Sequence, residues 1–192
     1  MIKCVVWFLI SFFSWSPAKA AIHASIGVFP DIRTFKKTAE TSATQVSADI
    51  YLGYVFPSQW TLGALFGSHS EQTTQTGFSN PTDNQTIARQ RSSYGISFGY
   101  DFETFYTRLT GMVFSEWHDS FGGVETIYKR ATGLQLDIGI RISLGSSVYF
   151  APQLTYQNFI YTQSYAQGST SDLNPVMSDS GLSPYLVLGL VL

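Results

Sequence analysis

The chain has 192 residues, 11 basic and 13 acidic side chains, a net charge of −2, 16% aromatic residues and only 12% charged ones. A charge balance this thin excludes broad electrostatic capture of nucleic acid, and a single cysteine, Cys4, excludes a disulfide framework. One domain is the natural count at this length.

Met1-Ile2-Lys3 gives a short basic start, Cys4 to Trp15 an apolar run, and Pro17-Ala18-Lys19-Ala20 places small residues where signal peptidase prefers them. Cleavage is expected after Ala20, giving a leader over 1–20 and one domain over 21–192. The apolar run is shorter than the ~20 residues of a helical span, which disfavours a retained anchor. Cys4 precedes the run, so it is not the lipid-modified residue of a lipoprotein, and it leaves with the leader together with Lys3 and Lys19.

From residue 22 onward the pattern is an alternation of period two, which sends successive side chains to opposite faces of a strand. A first strand, 22–33, sets Ile22, Ala24, Ile26, Val28 and Ile32 against His23, Ser25, Gly27, Asp31 and Arg33. A second, 45–56, sets Val46, Ala48, Ile50, Leu52, Tyr54 and Phe56 against Gln45, Ser47, Asp49, Tyr51 and Gly53. The third, 60–71, carries Trp60, Leu62, Ala64 and Phe66 opposite Thr61, Gly63, Gly67, His69 and Glu71. The fourth, 87–100, carries Tyr94, Ile96, Phe98 and Tyr100 opposite Arg91, Ser93, Gly95 and Ser97. In the fifth, 104–118, Phe105, Leu109, Val113 and Trp117 oppose Tyr106, Arg108, Thr110, Glu116 and His118. The sixth, 127–144, alternates Tyr128, Leu134, Leu136, Ile138, Ile140 and Ile142 with Lys129, Gln135, Asp137, Gly139 and Arg141. The seventh, 148–163, and the eighth, 182–192, complete the set, the last with Leu182, Leu186, Leu188, Leu190 and Leu192 opposite Ser183, Tyr185 and Gly189.

Short connections (Pro57-Ser58-Gln59, Asp101-Phe102-Glu103, Gly145-Ser146-Ser147) alternate with long polar ones at about 34–44, 72–86, 119–126 and 164–181. Short turns at one end and long loops at the other predict an all-β, eight-stranded, antiparallel up-and-down transmembrane β-barrel. The inverted arrangement is a soluble lipocalin-like barrel, with its apolar face inward around a ligand. Two features favour the transmembrane form. The polar face is Gly-, Ser- and Thr-rich with few charges. Aromatic residues of the apolar face lie near strand ends: Tyr54, Phe56, Trp60, Tyr100, Phe105 and Phe150 by the short turns, Trp117 and Tyr128 by a long loop. This reads as two interfacial girdles.

The end of the chain, Gly189-Leu190-Val191-Leu192 with Tyr185 and Leu188 before it, resembles the carboxy-terminal targeting strand of outer-membrane proteins; their strand ends on an aromatic, this one on leucine. Over 21–192 the layout is similar to the small eight-stranded barrels of the OmpX, OmpW and OmpA-membrane-domain type. The resemblance implies location in the bacterial outer membrane, contact with its lipid and lipopolysaccharide, and delivery by the assembly machinery, with the chain a monomer.

Four charges, Asp49, Arg108, Asp137 and Arg141, fall on the polar face well inside their strands. They are expected to form an ion-pair network filling the barrel, because a buried charge without a partner costs several kcal/mol; a narrow ion path is the alternative. Arg89, Arg91 and Arg130 lie toward the long loops, where guanidinium groups match lipopolysaccharide phosphates or act as ordinary solvated charges. Eight-stranded enzymes acting on lipid A offer two comparisons. The deacylase type uses His-x-Ser and a Glu on the lipid-facing side, and His118-Asp119-Ser120 with Glu125 is the candidate; against it, His118 falls on the polar face and the Glu spacing is wrong. His23-Ala24-Ser25 is a weaker hit. The palmitoyltransferase type needs an amphipathic helix ahead of the barrel, for which there is no room. Asp83, Asp119, Asp172 and Asp179 are scattered, so no metal and no cofactor is expected. The expected role is therefore non-enzymatic, structural or surface-interacting through the external loops, with a lipid A-modifying enzyme and a narrow pore as alternatives.

Overall fold

The computed structural model describes residues 20–36, 40–76, 84–102 and 104–192; the leader expected over 1–20 lies outside them except for its last residue. The described residues form strands β1 (Ala21–Lys36), β2 (Glu40–Val55), β3 (Trp60–Thr76), β4 (Asn84–Asp101), β5 (Phe105–Phe121), β6 (Val124–Ile140), β7 (Ile142–Ser143), β8 (Val148–Ala166) and β9 (Ser169–Val191). Each long strand pairs antiparallel with its sequence neighbour, β6 passes to β8, and β1 pairs with β9 to close a ring of eight. The two-residue β7 continues the line of β6 along β8.

The alternation resolves as a polar inside and an oily outside. Ile22, Ile50, Leu62, Ile96, Leu109, Ile138, Leu154 and Leu188 are exposed around the outer wall, while Ser97, Thr110, Gln135, Asp137 and Thr155 are fully buried. Inward tyrosines fit against glycines of neighbouring strands. A Cβ on Gly139 would lie 2.4 Å from Tyr106 Cζ, and one on Gly189 would lie 2.2 Å from Tyr149 Cζ, so both rings need a bare backbone beside them.

Proline explains two of the places where the ladder is interrupted, since it has no N–H to give. At the β1–β9 seam, Ile22 and Leu192 exchange both backbone bonds, at 2.8 and 2.9 Å. Such pairs recur at every second residue of an antiparallel ladder. Ala24↔Leu190, Ile26↔Leu188 and Val28↔Leu186 follow, and pairing stops there. The next bonded position sets Pro30 against Pro184, and neither has a donor. On β8, the Leu144 N–H donates to Val148 O at 2.9 Å and Ile142 faces Phe150. Two residues on stands Pro152, opposite Ile140, where β6 and β7 part.

Two expectations are corrected. The segments at 119–126 and 164–181 are not long loops. They are continuations of β5–β6 and β8–β9 that close in tight turns at Gly122-Gly123 and Gln167-Gly168, all four residues at positive φ. Polar Ser, Thr and Gln keep the strand conformation here because cross-strand pairing, not a buried oily face, holds them. The second correction concerns facing. A β-bulge shifts the β4–β5 register at Tyr94/Gly95, where Gly95 pairs with Met112 but Tyr94 with Phe114. The same belt holds Arg130 at φ 51° and a register shift at Tyr161/Gln163. An extra residue reverses every side chain beyond it. Trp117 is therefore buried inside, and Trp117 and Tyr128 pack on Tyr161 rather than forming an outer girdle. Phe66, Tyr94 and Phe114 stack outside in that role, with Tyr94–Phe114 centroids 5.0 Å apart. At the short-turn end Tyr54, Phe56, Trp60, Tyr100, Phe102 and Phe105 pack ring against ring.

Candidate functional site

The barrel interior is filled in layers. Nearest the short turns, Arg141 forms an ion pair with Asp101, its Nη2 donating to Oδ2 at 2.6 Å, and stacks between Tyr106 and Tyr149. His23 bonds the Tyr149 hydroxyl and lies 3.5 Å from Arg141 Nη2. Arg141 thus belongs to a separate layer from the other three expected charges.

Those three meet at mid-height. Gln135 Nε2 donates to Asp49 Oδ2 at 2.8 Å and to Asp137 Oδ1 at 3.0 Å, spanning two carboxylates with one amide. Thr155 donates to Asp137 at 2.9 Å, and Arg108 Nε lies 4.0 Å from the other oxygen of Asp137. Arg108 also donates to Gln153 at 3.0 Å and is sandwiched by the rings of Tyr51 and Tyr106 at 4.2 and 4.6 Å. Sequence reasoning found the charges but missed Gln135, Gln153 and Thr155. Neutral residues on a polar face carry no signal of which charges they bridge.

Above this plug lies a cavity of about 250 Å³, lined among others by Ser47, His69, Arg91, Trp117, Gln157 and Asp179. Arg91 is turned inward, 5% exposed, paired with Asp179 and 4.0 Å from the Phe159 ring. The expected contact of Arg91 with external phosphate is therefore corrected, because the side chain has no outer surface. Arg89 bonds Glu71 at 3.2 Å and lies 3.6 Å from Asp119, at the rim. Arg130 is exposed.

The outer wall decides the class. Its apolar side chains encircle the barrel, with two aromatic clusters at different heights on the β2–β5 side, and the β1–β9 seam is paired from Ile22↔Leu192 to Val28↔Leu186, where an edge in lipid would strand backbone polar groups. Closed antiparallel barrels with this polarity are the form in which strands cross bacterial outer membranes. The chain is a transmembrane β-barrel of the outer membrane. No protein-family profile and no curated protein matches the sequence. Among solved structures it is similar to the translocator domain of the autotransporter NalP from Neisseria meningitidis (TM-score 0.46, 12% identity, 99% of this chain and 68% of that one). It is also similar to the Neisserial surface protein A, NspA (0.41, 13%, 91% and 99%), and to the outer membrane protease OmpT from Escherichia coli (0.32, 10%, 93% and 96%).

The bulge also moves the His-x-Ser candidate. Beyond it Glu116, His118 and Ser120 share the outer side of β5, the reverse of the expected facing. His118 Nδ1 lies 2.8 Å from Glu125 Oε1, across the β5–β6 hairpin, and its Nε2 lies 3.8 Å from Glu116. Glu125 sits opposite Ser120 in the register, so a separation that looks wrong in sequence becomes a contact in the hairpin. His23 and Ser25 are buried inside the barrel. Among the described residues no group of three His, Cys, Asp or Glu could hold a metal.

Proposed function

We propose that this chain is a non-enzymatic barrel that acts at the cell surface through the rigid hairpins it raises above the membrane, as a monomer in lipopolysaccharide. The observation that carries this reading is the change of character along single strands. Outward positions on β3 run Leu62, Ala64 and Phe66, then Ser68, Ser70 and Gln72; their β4 partners run Phe98, Ile96 and Tyr94, then Ser92, Gln90 and Ala88. Pairing continues unbroken through the change. The strands thus leave lipid as ordered, polar ribbons, a surface suited to contact with other molecules. Arg130, the exposed one of the three expected arginines, is a cation that fits a lipopolysaccharide phosphate. The deciding experiment compares lipid A acylation, by mass spectrometry, in cells with and without the protein. Identical profiles support the reading; gain or loss of an acyl chain overturns it.

A second reading is favoured by the outward His118–Glu125 pair beside Ser120: hydrolysis of a lipid ester, with Glu125 orienting His118 and His118 activating Ser120. It requires the imidazole Nε2, which faces Glu116, to turn to the serine. An acylation change abolished by His118→Ala supports it, and one that survives His118→Ala removes it.

A further inference from the structure

Above Val28↔Leu186, β1 and β9 no longer pair with each other, although β1 continues on β2 and β9 on β8. This gap lies inside the lipid-facing zone. The residues beside its two edges, Val46 next to Pro30 and Leu154 and Tyr156 next to Pro184 and Leu182, are exposed and apolar. The cavity above the plug reaches the gap: its wall includes Leu182 and Pro184 of β9, which are exposed on the outer face, together with Phe29 of β1 and the inward Arg91 and Trp117. A polar chamber therefore opens sideways toward lipid. Just below the opening, on the outside of the same seam, runs an apolar groove of about 430 Å³ along Ala24, Ile26, Ile50, Leu52, Leu188 and Leu190. Val28 and Leu186 are the only outward step between opening and groove on their strands.

We propose that this seam is a binding site for a single-chain amphiphile, with a small oxygen-bearing head in the chamber and the acyl chain passing between Pro30 and Pro184 into the outer groove. The chamber fits such a head. Trp117 is 5% exposed, and its indole N–H has no hydrogen-bond partner, leaving a buried donor that an acceptor oxygen satisfies. Arg91 is already neutralised by Asp179, and Glu71 by Arg89, so the chamber has no surplus positive charge for a multiply charged phosphate. The head is thus that of a fatty acid or a monoacylglycerol. Two prolines facing each other at one bonded position keep the passage open, since closing it would need two N–H groups that the chain does not have.

The test uses the protein purified from outer membranes, with leader removal verified by intact mass, in phosphatidylcholine nanodiscs. Trp60→Phe leaves Trp117 as the tryptophan reporter, and the probe is stearate spin-labelled at carbon 5. Saturable quenching at one probe per barrel is expected, reversed by unlabelled oleate or by monoolein; which of them competes better identifies the head. Pro30→Val with Pro184→Val restores both donors and should weaken binding at least tenfold. Ala24→Phe, which fills the groove without touching the ladder, should do the same in a barrel whose gel mobility still shifts on boiling. Quenching that rises linearly with probe, that neither lipid reverses, or that both variants leave unchanged overturns the site. None of these outcomes bears on lipid A acylation or on the hairpins.

Discussion

Arg108 is a buried cation. Its charge is balanced by Asp137 at 4.0 Å and by two tyrosine faces, and it is 3% exposed. Removing one member of a buried pair leaves the other uncompensated, at a cost of about 3–5 kcal/mol. Arg108→Met should accordingly lower the temperature at which the unboiled band unfolds on a gel, and Arg108→Met with Asp137→Leu should recover most of the loss. A single variant as stable as the parent would show that Asp137 does not depend on Arg108. Glycine gives a second contrast at this scale. Gly139→Ala drives a methyl into Tyr106, and overpacking of this kind costs about 1–3 kcal/mol, whereas a Cβ on Gly111 meets nothing within 4 Å. Urea unfolding in micelles should separate the two by at least the lower figure.

The elements show how much of the molecule a sequence can carry. Alternation at period two marks all eight long strands, because a lipid-facing and a lumen-facing residue differ sharply in polarity. The same contrast fades toward the tip of the β8–β9 hairpin, where Ser, Thr, Gln and Asp dominate both faces and interrupt the few apolar residues such as Leu173 and Val176, so those segments read as a loop. The bulge was hidden for another reason. Met112-Val113-Phe114 is apolar throughout, so a slip of one residue leaves no break in the pattern, and Trp117 and His118 then fall on the wrong faces. A charge network was legible as Asp49, Arg108 and Asp137, but its bridging amides were not. The prolines were a readable signal: a proline within a strand marks a ladder edge, and Pro30 and Pro184 stand where the β1–β9 pairing ends, Pro152 where β6 and β7 part. The reversal at the bulge has a direct test. In intact cells a membrane-impermeant maleimide should label His118→Cys and leave Trp117→Cys unlabelled; equal labelling, or the opposite order, would return β5 to unbroken alternation.

At the scale of the whole barrel, the layers make a cup rather than a pipe. An eight-stranded ring has an interior only wide enough for its own side chains, and here those side chains are tied across the lumen from β2 to β6 and from β5 to β8. The path from outside runs through the polar chamber to the Gln135 bridge and stops. From the short-turn end it stops sooner, at Arg141 with Asp101, backed by His23 and Tyr149. Two successive plugs, each holding charge against opposite charge, stand across that path. The protein reconstituted in planar bilayers should therefore show no unitary conductance steps at moderate voltage. The same should hold for Arg141→Gln, which loosens the plug nearest the short turns alone. Truncating the mid-height layer as well, with Gln135→Ala and Gln153→Ala added to Arg141→Gln, should admit small steps if the barrel stays folded, because only then is the lumen open along its length. Steps from the unaltered protein would mean that the mid-height network moves aside, and the barrel would be a narrow pore.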